Sequence, residues 1–197
     1  MGMVNRMVWP GLVVGLLTLG CNGGVGSSTD STSTSTPTIT GLSTPQSLVN
    51  NTVDIYGTYF TGATAMTFNG VPVTSFTVIS ATDIAALVPN AASTGKITVT
   101  TPGGTATSAG SFTITPAITS ISPASGAAGT SVTLLGSGFS GTTRVVFGVQ
   151  PATATSAVYT VNSANQLTVS VPSGATSGNI YLTSSDITCE GPVFTVQ

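Results

Sequence analysis

The chain has 197 residues, and only 4% are charged: three Lys or Arg, five Asp or Glu and no His, for a net charge of −2. Binding to nucleic acid needs clustered cations that neutralise phosphates, and so few cannot supply them. Catalysis by a nucleophile–histidine pair has no histidine to use.

In chain order, residues 1–20 read as a signal peptide. Arg6 is the one charge of the n-region, and an apolar run, Val8 to Leu19, follows it. Pro10, Gly11 and Gly15 interrupt that run. Its length of roughly 18 Å as a helix falls well short of a bilayer core of about 30 Å. A cleaved signal is therefore expected and a permanent membrane helix is not. The only Trp, Trp9, would leave with it.

The end of the run, Leu17-Thr18-Leu19-Gly20-Cys21, resembles a bacterial lipoprotein processing site. Gly20 fits the small residue before the cysteine, whereas Thr18 and Leu19 depart from the usual residues at their positions. The resemblance implies cleavage before Cys21, lipidation of its thiol and membrane attachment through that anchor. The alternative is an ordinary secreted chain. Cys189 is the only other cysteine. If Cys21 is acylated, Cys189 is a lone thiol; otherwise a bridge between the two stays open, though nothing in the spacing argues for it.

Residues 21–36 contain Ser31-Thr32-Ser33-Thr34-Ser35-Thr36, and Val25 is the one large apolar residue among them. Such a stretch buries too little surface to offset chain entropy. It reads as a flexible linker, open to O-glycosylation, with a mean reach of roughly 20 Å.

From Pro37 onward one unit is written twice. Pro37, Ile39, Leu42, Val53, Ile55, Gly57, Phe60, Gly62, Met66, Phe68 and Pro72 recur 79 positions later as Pro116, Ile118, Ile121, Val132, Leu134, Gly136, Phe139, Gly141, Val145, Phe147 and Pro151. Apolar residues alternate with polar ones inside each copy, and 24 Gly and 11 Pro supply turns. Tandem small β-domains follow, at 37–115 and 116–197. After Pro72 the offset becomes 83, pairing Phe76 with Tyr159, Ile84 with Leu167 and Gly95 with Gly178. The second copy thus gains about four residues near Ala152 to Thr155. Gly126 and Gly129 are read as a tight connection with positive φ, and Asn50-Asn51 as its counterpart in the first copy.

The second copy's opening, Ile118-Thr119-Ser120-Ile121-Ser122-Pro123 through Gly126, Gly129, Val132, Leu134, Gly136, Gly138 and Phe139, resembles an IPT/TIG domain. The likeness continues through Val171-Pro172, Gly178-Asn179-Ile180 and the closing Val193-Phe194-Thr195-Val196. It implies an immunoglobulin-like fold, hence an all-β chain of two tandem β-sandwiches. Only Thr115-Pro116 would separate them, which restricts hinge motion and favours an end-to-end rod.

Chemistry is sparse. Cys189 has Glu190 beside it but no neighbouring cation to lower its pKa. Asp54 has outward parity, Asp83 lies in a turn, and Asp186 and Glu190 fall in the last loop, so all read as solvated charges. Transition-metal spacing is absent, calcium has few carboxylates to use, and no cofactor is called for. Gly103-Gly104 lies between strands and reads as a hairpin turn. Tyr56 and Tyr181 should face outward, Tyr59 sits before Phe60, and Tyr159 is read as core. Tyr56, Tyr59 and Tyr181 are the candidate ligand contacts, with cross-strand packing as the competing role.

These readings describe a non-enzymatic exported module at the cell envelope, a spacer or adhesion domain that meets a protein or glycan. The alternative is a carbohydrate-binding module for envelope or environmental polysaccharide. Few Lys or Glu guard the edge strands, so self-association through them is also open.

Overall fold

The structure is a computed structural model and describes residues 35–148 and 156–197. The signal segment, Cys21, the linker up to Thr34 and the added loop near Ala152 to Thr155 lie outside the described residues.

Alternation at period two produces strands with one apolar face each. In the first module, β1 (Thr38–Leu42), β3 (Thr52–Thr58), β7 (Asp83–Leu87) and β6 (Phe76–Ser80) form one sheet in the order β1-β3-β7-β6. The facing sheet is β5-β4-β8-β9, from β5 (Val71–Pro72), β4 (Ala65–Phe68), β8 (Ile97–Thr101) and β9 (Gly104–Thr107). A short parallel pair, β2 (Gln46–Ser47) with β10 (Thr113–Ile114), closes one edge. The core holds Val53, Ile55, Phe60, Met66, Phe68, Ile84, Val88, Ile97, Val99, Phe112 and Ile114, all buried. Phe76, the repeat counterpart of Tyr159, is only partly buried at the flank of this core.

The second module repeats the plan. One sheet is β11 (Ala117–Ser122), β13 (Ser131–Ser137), β16 (Gln166–Ser170) and β15 (Tyr159–Ser163), in the order β11-β13-β16-β15. The other is β12-β18-β17-β14, from β12 (Ser125–Gly126), β18 (Ile187–Val196), β17 (Gly178–Ser184) and β14 (Thr142–Gly148). Val132, Leu134, Val145, Phe147, Leu167, Val169, Ile180, Leu182 and Phe194 fill its core. Tyr159 packs at the margin and donates its hydroxyl to Thr142 O at 2.9 Å.

The repeated Gly57 and Gly136 have a steric cause. A Cβ on Gly136 would overlap Ala117 O and come within 2.6 Å of Phe139 Cζ, and Gly57 is enclosed in the same way by Thr38 O and the Phe60 ring. The large ring of each module therefore lies on bare backbone, where it is fully buried.

Several local expectations are corrected. Gly129 and Asn50 have positive φ, at 88° and 63°, but Gly126 is a strand residue paired with Val196. Asp83 opens β7 and is not a freely solvated turn residue: its Oδ1 is buried without a hydrogen-bond partner among the described residues. Glu190 belongs to β18, while Ser185-Asp186, with φ of 49° and 65°, form the two-residue turn before it. The β8–β9 hairpin turns at Pro102-Gly103, one residue earlier than read.

Tyr59 occupies the place of Gly138. It has φ 57° against 72° for the glycine, a left-handed conformation that costs an L-residue about 1–2 kcal/mol. Tyr59→Gly should raise stability by about 1 kcal/mol after glycine's extra chain entropy is subtracted. A thermal melt of the variant reads this as an increase of several degrees.

Candidate functional site

β3 places Tyr56 between buried Ile55 and buried Gly57, so its ring points to the outer face of the β1-β3-β7-β6 sheet, where it is 41% exposed. Directly across it stand Gly41 on β1 and Asp83 on β7, and Asp83 in turn faces Ser80 on β6. Residues opposite one another on adjacent strands share a face, so ring and carboxylate are neighbours. Asp54 lies two residues back on the same face. The ring lies against Gly41: a Cβ there would meet Tyr56 Cδ2 at 3.9 Å, ordinary van der Waals contact.

Tyr59 is also exposed, but in the loop after β3, and Tyr181 lies in the β17 sheet of the second module. The three candidate tyrosines do not share a face. Tyr181 has outward parity as expected, yet it is half-buried between its cross-strand partners Val146 and Glu190.

A groove that the sequence did not reveal runs along the edge of the first module. It has a volume of about 250 Å³ and is lined by Ile39 to Leu42, Pro45 and Ser108 to Ser111. Ser108 builds its far wall. The buried Ser108 Oγ accepts the Ile97 N–H at 3.0 Å and donates to Gly110 O at 2.7 Å. The Lys96 ammonium donates to Ala109 O and holds the same loop. Gly41 belongs both to the groove and to the surroundings of Tyr56. The only signal for such a site was the run Ser108-Ala109-Gly110-Ser111, a loop composition that does not reveal what it faces.

Cys189 is half-buried against the second core. Burial raises its thiol pKa above the ordinary range, only partly offset by backbone hydrogen bonds involving Ile118 and Leu182. A thiol so placed is protonated and slow to react at neutral pH. Among the described residues, no three His, Cys, Asp or Glu side chains gather closely enough to hold a metal ion.

The two modules are tied at their junction. Asn165 Nδ2 donates to Asn90 Oδ1 at 3.1 Å and to Gly136 O at 2.9 Å. Ser185 Oγ donates to Thr94 Oγ1 at 3.0 Å, and the same oxygen accepts the Ile114 N–H at 3.0 Å. A Cβ on Gly138 would lie 2.9 Å from Pro116 Cα, so this turn fits closely against the linking residues.

Two facing sheets around a single core, twice in succession, make this a tandem immunoglobulin-like β-sandwich protein. The IPT/TIG domain profile matches residues 37–114 and 116–193, and the chain belongs to the IPT/TIG domain family. No curated protein matches it in sequence. Among solved structures it is similar to SGBP-B from a complex xyloglucan utilization locus in Bacteroides uniformis, with 21% identity and a TM-score of 0.37. That match covers 82% of this chain and 49% of the other. A surface glycan-binding protein from Prevotella bryantii shows 17% identity and a TM-score of 0.49, over 80% of this chain and 41% of its own. The extracellular region of plexin A4 shows 19% identity and a TM-score of 0.38, over 82% and 18%. This chain spans less than half the length of each, and these likenesses are of fold alone.

Proposed function

We propose that this chain is a non-catalytic module of the cell envelope, exported and tethered by a lipid on Cys21, whose two sandwiches act as a spacer or contact domain. The observation that carries this reading is the junction. Thr115 and Pro116 alone link two complete cores, and side-chain hydrogen bonds from Asn165 and Ser185 brace the link. A braced pair of small domains holds its far end at a fixed place relative to the first module, which a freely hinged pair would not. Among the described residues Cys189 is half-buried and protonated and has no histidine to pair with. Cell fractionation tests the reading: the intact chain should pellet with membranes, and Cys21→Ser should move it to the soluble fraction. A chain that stays soluble with Cys21 in place contradicts the tether.

One observation favours a second reading, glycan binding. Tyr56 is 41% exposed on the outer sheet face, beside a residue with no side chain, and an exposed aromatic ring can receive the apolar face of a sugar. Two of the similar structures are named for glycan utilization or binding, but a likeness of fold transfers no ligand to this chain.

A further inference from the structure

Duplication provides an internal comparison. The two modules share their cores, so a feature present in one alone is not required by the fold. The outer sheet face is one such feature. At the positions of Tyr56, Asp83, Asp54 and Gly41 the second module carries Leu135, Gln166, Thr133 and Ser120, held in the same cross-strand register. The aromatic ring and both carboxylates are absent there.

The groove differs in the same way. In the second module β18 runs unbroken from Ile187 to Val196. The residue equivalent to Ala109 is Gly191, packed so tightly on Ile118 that a Cβ would lie 2.7 Å from Ile118 Cδ1. In the first module this length of chain divides into β9, a loop and β10. The loop stands off from Ile39 and leaves the groove open, although the tethering bond is kept: Lys96 reaches Ala109 O where Asn179 reaches Gly191 O at 3.1 Å.

We propose that Tyr56 and the groove between Ile39–Leu42 and Ser108–Ser111 form one binding site, confined to the first module, for a neutral hydroxyl-rich glycan chain. This rests on the glycan-binding reading above and names its site. The Tyr56 ring receives the C–H face of one sugar unit, and Asp83 beside it offers the Oδ2 of its carboxylate as an acceptor for a sugar hydroxyl. The next unit enters the groove across Gly41, where Ile39, Leu42 and Pro45 provide apolar surface and Thr40 and Ser111 provide hydroxyls. A few polar groups converging on an apolar concave surface is the usual composition of a small-ligand site. Around Tyr56, Asp54 and Asp83 disfavour uronic or sulfated chains, while the Lys96 ammonium at the groove's loop is engaged by Ala109 O. An extended peptide fits less well. β1 is the sheet edge it would pair with, and the register shift between Ile39 and Gly41 breaks the regular row of backbone groups that strand addition needs.

Affinity electrophoresis of the full chain through gels containing β-glucan, xylan, galactomannan or dextran tests the site. The chain should be retarded by at least one of the four. Tyr56→Ala and Ser111→Leu, which fills the groove from an exposed position, should each weaken binding about tenfold or more. Tyr56→Phe should retain most of it, with melting temperatures unchanged throughout. Retardation that survives Tyr56→Ala and Ser111→Leu but disappears with Tyr181→Ala overturns this site and keeps the glycan reading. No retardation on any of the four overturns both. Binding to extended peptides on an array, lost in Ser111→Leu and accompanied by no retardation, overturns the proposal and assigns the groove to a peptide.

Discussion

Phe112→Ala should destabilise the first module by about 3–5 kcal/mol, the usual cost of deleting a large buried aromatic ring. Phe112 is 1% exposed, and its ring meets Phe68 edge-on, with centroids 5.1 Å apart and planes at 69°. The substitution loses the area buried by the ring, leaves a cavity between the sheets and removes an aromatic pair contributing about 0.5–1.5 kcal/mol. A domain of this size has a total stability of roughly 4–12 kcal/mol, so the first module is left marginal. The second contains the same arrangement in Phe147 and Phe194, 5.2 Å apart at 78°, and Phe112→Ala does not touch it. Calorimetry should therefore show the wild-type profile split, with one transition moved far down in temperature and one close to its original position. A single transition shifted as a whole would mean that the two cores melt as one unit.

Gly57→Ala is expected to cost about 3 kcal/mol, at the upper end for inserting one methyl group into a packed site. The new Cβ would overlap Thr38 O across the β1–β3 pair and come within 3.0 Å of Phe60 Cε2 on the other side. Neither neighbour can yield cheaply. Thr38 O is backbone in a paired strand, and Phe60 is fully buried. Either β1 separates from β3 or the ring leaves the core. Gly110→Ala is the control, because a Cβ there meets nothing within 4 Å, and urea denaturation should find it close to wild type. Equal losses from the two substitutions would remove the steric explanation for the conserved spacing of Gly57 and Gly136 between the repeats.

The fold was legible because its determinants are local and repeated. Val53 with Ile55 and Val132 with Leu134 carry a period of two that any strand of this length must bury on one side, and the 79-residue repeat presents the pattern twice. The offset of 83 was legible too, and the paired registers of Phe76 with Ala86 and Tyr159 with Val169 agree with it. Between Gly95/Gly178 and Phe112/Phe194 the offset falls to 82. That one-residue change opens the groove in one module and leaves β18 continuous in the other.

What escaped the sequence reading depends on residues far apart in the chain. Asn90 and Asn165 are ordinary loop asparagines until the fold brings their amides together across 75 positions. Asp83 looked like a solvated turn because turn composition is judged from neighbours along the chain, whereas its burial is set by the strands on either side. Parity assigned Tyr56 and Tyr181 to outer faces alike, but exposure depends on what lies across the sheet: Gly41 beside the first, Val146 and Glu190 beside the second.

The proposed role as a body held off a membrane depends on whether Cys21 carries a lipid. The intact mass of the chain extracted from the membrane fraction tests this most directly. The expected species is a polypeptide beginning at Cys21 whose mass exceeds that of the unmodified sequence by a thioether-linked diacylglycerol, with or without a further acyl group on its amino terminus. A mature chain of unmodified mass, or one that begins elsewhere with a free Cys21, would contradict it.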